Sequence, residues 1–245
     1  MHSSFSRIVT LAAVVMIAAA PATRAQSKGR GARPPARAAK PAAPRTPVLL
    51  DETNPFWSKH APATVTADIE TSRGPVTIEL TRDWAPVGVD HFYNLARAGY
   101  YDDTRFYRVL FGFVAQFGIA KDPAVANLWG AHKIRADSAR EHNVRGTISY
   151  AQFTPSDRTT NVFINLHDNA NLDTLGFVPI GRVVQGMDVI DSLYAAYGDL
   201  PISDPPLGNP KRLYAETNKY LDATYPKLDR ILKITIRPDS ARAPR

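Results

Sequence analysis

Arg108 sits inside a run of aromatic and apolar residues, Phe106-Tyr107-Arg108-Val109-Leu110-Phe111-Gly112-Phe113-Val114-Ala115-Gln116-Phe117-Gly118. A guanidinium holds a permanent charge and a rigid fork of donors, an aromatic wall offers an apolar slot, and the Gln116 amide can hold a carbonyl. If Phe106 to Val109 and Phe113 to Phe117 are strands joined at Gly112, period-two alternation puts Arg108 and Phe106 on one face. On the second strand Phe113, Ala115 and Phe117 then share one face, and Val114 and Gln116 the other. A slot beside a fixed cation and an amide suits an apolar ring attached to a peptide carbonyl. A proline peptide has both parts.

The elements that must position these residues are short. Val76-Thr77-Ile78-Glu79-Leu80 alternates, and Ser72-Arg73-Gly74 offers a turn back to Val65 to Glu70, which predicts an opening hairpin. Pro86 to Ala98 places Val89, Phe92, Tyr93 and Ala96 on one helical face, with Gly99 just after the end. Gly186 to Ala196 does the same with Val189, Ile190, Leu193 and Tyr194. Asn209-Pro210 reads as N-cap and first turn of a further helix over about 209 to 223, with Leu213, Thr217, Tyr220 and Leu221 inward. Ile231 to Ile236 reads as a closing strand. Many short strands with few helices predict a mainly β fold in which a closed antiparallel barrel removes exposed edges.

The aromatic run resembles the signature of cyclophilin-type peptidyl-prolyl isomerases: a phenylalanine, a variable residue and an arginine ahead of a Gly-Phe pair and a glutamine. The resemblance continues in order through Gly146-Thr147-Ile148-Ser149-Tyr150-Ala151, Thr159-Thr160-Asn161-Val162-Phe163-Ile164-Asn165, Leu172-Asp173 and Gly181-Arg182-Val183. Upstream it takes in Ile69-Glu70-Thr71-Ser72-Arg73-Gly74-Pro75, Ala85-Pro86-Val87 and Gly99-Tyr100-Tyr101, and it spans roughly residues 63 to 237. It implies an eight-stranded closed antiparallel barrel capped by two helices, to which the segment near 209 to 223 adds an extra C-terminal helix. It also implies catalysis of X-Pro rotation by Arg108. Phe113, Val114, Phe163 and Leu172 would wall a proline pocket, Gln116 would hold a carbonyl or orient Arg108, Ala151 and Gln152 would line the peptide groove, Asn161 would lie nearby, and Phe177 would stand at the rim. Taken singly, an arginine on a strand reads as a solvated charge and a phenylalanine as core. Departures from the family pattern include Val114 where many members carry methionine, and Asn171 in place of a tryptophan that helps bind cyclosporin, which implies weak inhibition by that compound.

Rotation about an X-Pro bond is slow because amide resonance imposes a barrier near ~20 kcal/mol. No bond breaks and no net proton moves. A donor aimed at the prolyl nitrogen stabilises the twisted state selectively, since that lone pair becomes available only when conjugation is lost. The alternative reading is a proline-peptide binding module or chaperone with little turnover.

Charge and composition narrow the remaining classes. The sequence pI of 9.7 reflects 30 basic against 23 acidic residues, yet eight of the basic ones precede the first acid, Asp51, leaving 22 against 23 downstream. The nearly neutral remainder argues against a nucleic-acid partner. Residues 1–25 carry Arg7, an apolar run from Ile8 to Ala20 and Thr23-Arg24-Ala25, the grammar of a secretory signal peptide cleaved after Ala25. Residues 26–47 form a basic Ala/Pro-rich linker without large apolar side chains, expected to be disordered and suited to weak contact with anionic envelope surfaces. Residues 48–62 lead into a domain at 63–237, and 238–245 form a tail. Cysteine is absent, which excludes disulfides and thiolate metal sites. No phosphate loop, nucleophile elbow or zinc-protease motif occurs, so no metal or organic cofactor is expected. The expectation is a periplasmic or secreted monomer that assists folding.

Overall fold

The computed structural model describes residues 47–203 and 208–237. The expected leader, all but the last residue of the basic linker, and the 238–245 tail lie outside them. Eight strands form one antiparallel sheet: β1 (Thr64–Thr71), β2 (Gly74–Thr81), β3 (Arg108–Leu110), β4 (Val114–Phe117), β5 (Thr147–Tyr150), β6 (Val162–Asn165), β7 (Pro179–Gln185) and β8 (Ile231–Ile236), in the order β3-β4-β6-β5-β7-β2-β1-β8. The helices are α1 (Pro86–Arg97), α2 (Pro123–Ala131), α3 (Ala170–Thr174), α4 (Met187–Asp191), α5 (Pro210–Glu216) and α6 (Asn218–Thr224).

The hairpin forms as its alternation requires. Val65, Ala67 and Ile69 of β1 and Val76, Ile78 and Leu80 of β2 are buried, and Ile69 pairs with Val76. Val89, Phe92, Tyr93 and Ala96 of α1 all face the core. Its first turn is capped from outside, with Val87 N and Gly88 N both donating to Asp137 at 2.9 Å. The lead-in segment is two 3-10 turns, Val48–Leu50 and Pro55–Ser58, and its Trp57 packs on Trp129 of α2 with ring centroids 4.4 Å apart.

The expected closed barrel is not formed. The sheet curls into a half-barrel, and among the described residues its end strands β3 and β8 share no ladder; the seam is spanned by an isolated bridge between Arg105 and Arg230 and by Asp103 N donating to Leu232 O at 3.3 Å. At three residues β3 is too short to run alongside β8. The two expected capping helices also change: α1 keeps its length, but α4 is cut to five residues because Tyr194 N is drawn off to the Asp229 carboxylate at 2.7 Å. The single helix expected over 209 to 223 splits at Thr217, which takes φ +46° and donates its hydroxyl to Lys121 O. Such a conformation is costly for a β-branched residue and persists only where the surroundings fix it, and Thr217 is fully buried. The helix α2 was not expected, although Asp122-Pro123 carries its start signal: the Asp122 carboxylate accepts from Ala124 N and Val125 N.

Burial draws the His91 imidazole of α1 down to about 3, with repulsion from His132, stacked on it at 5.9 Å, adding to the effect. Its ring lines a cavity of about 250 Å³ with Trp57, Trp129 and His132, and among the described residues no hydrogen bond reaches Nε2. An unfolded histidine binds a proton near pH 6.5, so between pH 6.5 and about 3 the unfolded chain carries the extra proton and stability falls with falling pH. The slope is at most about 1.4 kcal/mol per pH unit from this group. In urea titrations at pH 7, 5.5 and 4.5, His91→Asn is expected to flatten the acid loss relative to the parent; parallel curves would show that His91 is not responsible.

Candidate functional site

The sheet register builds the site. Arg108 pairs with Gln116, Gln116 with Phe163, and Phe163 with Ser149, so one row across β3, β4, β6 and β5 carries a cation, an amide and an aromatic ring on a single face. Neighbouring strands lie about 4.8 Å apart, which puts the guanidinium-bearing strand roughly 10 Å from the phenylalanine strand. The next row holds Leu110, Val114 and Asn165. The opposite face, with Val109, Ala115, Phe117, Ile148, Tyr150, Val162 and Ile164, joins the core.

On this outer face Val114, Phe163 and Leu172 form a separate buried cluster, with Phe113, Ala151 and Phe177 packed at its edge. Thus six of the residues expected to line the pocket and groove come together. Phe177 meets Phe163 edge-on with centroids 5.6 Å apart, and the Arg108 guanidinium stands 5.7 Å from the Phe113 ring centre. Two facial assignments from alternation fail. Phe113 is not in β4: it closes a turn at Gly112, φ +68°, with Phe113 N donating to Leu110 O, and this swings its ring to the Val114 side. Phe106 lies outside β3 and turns inward onto Phe117, away from the Arg108 face.

Arg108 is held at two nitrogens. Nε donates to the Asp199 carboxylate, and Nη1 donates to Gln116 Oε1 at 3.2 Å. Among the described residues Nη2 makes no hydrogen bond, and the side chain remains 21% exposed, so a donor is left facing a guest. Gln116 Nε2 donates to the Tyr107 hydroxyl at 2.7 Å, which donates to Asn161 Oδ1 at 2.9 Å, and Asn161 Nδ2 donates to the Tyr214 hydroxyl at 3.0 Å. Every bond of this relay runs in the same direction away from Arg108. Burial pushes the Tyr107 phenol well above its ordinary value, with Tyr214 adding to the shift, so the relay stays neutral. Asn161, expected beside the peptide, therefore spends its side chain behind the site.

The pocket walls are fixed by two amides that sequence reasoning did not single out and by Asp173, which stood in the Leu172-Asp173 motif without a role of its own. Asn143 Nδ2 donates to Asp173 Oδ1 and to Phe177 O, both at 2.8 Å, and Asn169 Nδ2 donates to Phe113 O at 2.9 Å. Burial works to raise the Asp173 carboxyl, but donors from the Asn143 side chain and backbone, with His142, hold it below the usual range. Gln152, expected to line the peptide groove, uses its side chain as a tie, donating to Gly176 O at 2.9 Å. Tyr107 stood in the motif but carried no signal of its own, and Asp199 and Tyr214 carried none. Among the described residues no three His, Cys, Asp or Glu side chains could hold a metal ion.

A curled antiparallel sheet that presents a fixed guanidinium beside an aromatic pocket defines a peptide-binding site for an apolar ring next to a carbonyl. Residues 66–211 match the family model for cyclophilin type peptidyl-prolyl cis-trans isomerase/CLD. The chain is 36% identical over 138 residues to peptidyl-prolyl cis-trans isomerase A of Dickeya dadantii, covering 51% of this chain and 68% of that one. With peptidyl-prolyl cis-trans isomerase B of Escherichia coli it shares 32% over 132 residues, 50% of this chain and 80% of the other. The fold matches that of a Cryptosporidium parvum cyclophilin type peptidyl-prolyl cis-trans isomerase solved in the presence of the dipeptide Ala-Pro, with TM-score 0.50 and 19% identity over 71% of this chain and 99% of that chain. The chain belongs to the cyclophilin-type peptidyl-prolyl cis-trans isomerase family.

Proposed function

We propose that this isomerase, freed of its leader after Ala25, rotates X-Pro bonds in secreted or envelope polypeptides as they fold. The observation that carries the catalytic reading is the Arg108 side chain, tied at Nε and Nη1 with Nη2 left to donate, beside the pocket of Phe113, Val114, Phe163 and Leu172. The proline ring fills the apolar cluster, the preceding carbonyl lies toward Gln116, and the freed Nη2 donates to the prolyl nitrogen as it turns pyramidal. The Ala-Pro dipeptide of the Cryptosporidium protein supports proline as the guest. The extracytoplasmic placement rests on the sequence grammar of residues 1–25, and the basic segment 26–47 would tether the monomer loosely to anionic envelope surfaces.

Neither a metal nor nucleic acid enters this reading. A second reading, a proline-peptide binding module or chaperone with little turnover, is favoured by Phe111 and Phe153, which are almost wholly exposed within two residues of Phe113 and Ala151. Such rings would grip apolar residues flanking the proline. A protease-coupled isomerisation assay of the full chain on X-Pro peptides varying X separates the two: turnover well above the uncatalysed rate supports the enzyme, and tight peptide binding without acceleration supports the holding module. Cell fractionation with mass spectrometry tests both parts: recovery in the cytoplasm would sink the extracytoplasmic placement, and an exported chain that retains residues 1–25 would sink cleavage after Ala25. Cyclosporin is expected to inhibit weakly, because Asn171 on α3 is exposed and small where sensitive members carry tryptophan; nanomolar inhibition would overturn this.

A further inference from the structure

The excursion between α4 and β8 touches the site twice. Gly198 bridges antiparallel to Val109 in β3, and the next residue, Asp199, lays its carboxylate on Arg108 Nε. The backbone around Asp199 is pinned on both sides: Leu200 N donates to Tyr197 O at 2.9 Å, Ile202 N to Asp199 O at 3.0 Å, and the Ser203 hydroxyl to Asp199 O at 2.9 Å. The Tyr225 hydroxyl, beyond α6, donates to Leu200 O at 3.2 Å. The second touch is Tyr214 of α5, the terminus of the relay through Asn161, Tyr107 and Gln116 to Arg108 Nη1.

We propose that this excursion is a two-armed brace, in which Asp199 and Tyr214 are positioning residues that fix the plane of the Arg108 guanidinium. The proposal rests on the isomerase reading and extends it to residues outside the pocket. The physical case is that a long side chain has several rotamers of similar energy, and a single hydrogen bond at Nη1 leaves rotation about the Cδ–Nε bond open. A carboxylate at Nε on one side and an amide at Nη1 on the other leave one orientation, with Nη2 toward the guest. The Asp199 carboxylate is 52% exposed, and exposed ion pairs add little to stability. Its effect should therefore appear in turnover and leave unfolding nearly unchanged. The relay arm reaches the same guanidinium through buried groups, as Tyr107 is only 3% exposed.

The test uses the full chain and three variants. Asp199→Ala is expected to lower kcat/KM on X-Pro peptides roughly tenfold, mainly in kcat, since a donor displaced by a fraction of an ångström loses transition-state contact first. Asp199→Asn keeps an acceptor for Nε and is expected to recover activity to within about threefold of the parent. Tyr214→Phe removes only the hydroxyl, frees Asn161, and is expected to cost about threefold. Because both arms hold one group, the double variant should depart from the product of the single effects. Independently of turnover, the Arg108 Nε–H NMR signal should be shifted and slow to exchange in the parent and in Asp199→Asn, and should move toward the free-arginine position and exchange faster in Asp199→Ala. An unshifted, fast-exchanging signal in the parent would overturn the brace, as would Asp199→Ala and Tyr214→Phe both within twofold of the parent. Faster turnover in Asp199→Ala would also overturn it, by making the contact a latch. An inactive parent whose NMR signal behaves as expected would count against the isomerase reading and leave the brace standing.

Discussion

Arg108→Ala is expected to reduce kcat/KM toward X-Pro peptides about 10²- to 10³-fold, equivalent to about 3 to 4 kcal/mol of transition-state stabilisation, with the thermal midpoint almost unmoved. The activity loss follows from differential binding: the planar amide nitrogen is a poor acceptor and the twisted one a good acceptor, so a donor at that point lowers the barrier without tightening substrate binding equally. Preorganisation raises the value of this one donor, because Asp199 and Gln116 hold the guanidinium before the substrate arrives. Stability is spared because the pair is partly exposed and most of the pocket packing does not involve Arg108. Arg108→Lys should not rescue, since an ammonium cannot be held at two nitrogens while offering a third. A loss smaller than tenfold in a folded variant would remove Arg108 from the catalytic role.

Asp137→Ala is expected to destabilise the domain by about 3 to 5 kcal/mol, read as a shift in the urea midpoint at constant slope. Asp137 and Arg158 form an ion pair at 3.0 Å with side chains only 4% and 1% exposed, and removing the acid leaves the guanidinium buried without its counter-charge. The same carboxylate accepts from Val87 N and Gly88 N, so α1 loses its cap as well. Arg158 also donates to Arg135 O, which ties the segment leading to β6 to the loop after α2. The effect should therefore reach the site: Ala151 and Gln152 lie on the same loop, and peptide KM should rise before global unfolding. Replacing both partners, Asp137→Ala with Arg158→Met, should recover part of the stability, because the desolvated charge is gone. A single-variant loss under about 1 kcal/mol would contradict this account.

Much of the site was legible in the chain. Val114 and Gln116 fall on one face because strand alternation is a local property, and the resemblance named Phe163, Leu172, Ala151 and Phe177 as their companions. The inward set of the last helical segment, Leu213, Thr217, Tyr220 and Leu221, is buried even though the helix breaks, since the same spacing serves two short helices on either side of Thr217. Where local rules failed, the cause was a competing contact. Phe113 leaves its alternation because the turn at Gly112 consumes it, and α4 stops early because Asp229, 35 residues from Tyr194, takes a backbone donor. The five-residue α3 is too short for any periodicity to declare it.

By itself the sequence determined the hairpin, the buried faces of α1 and of the strands, and the identity of the cation and its apolar neighbours, because each depends on spacings of a few residues. Only the tertiary structure decided that the sheet stays open between β3 and β8, that Asn143 and Asp173 fasten the pocket walls, and that Asp199, 91 residues from Arg108, grips its Nε. No periodicity encodes a contact at that separation. It arises when the excursion after α4 folds back along β3, and a carboxylate that is unremarkable in the chain meets the Arg108 guanidinium beside the pocket.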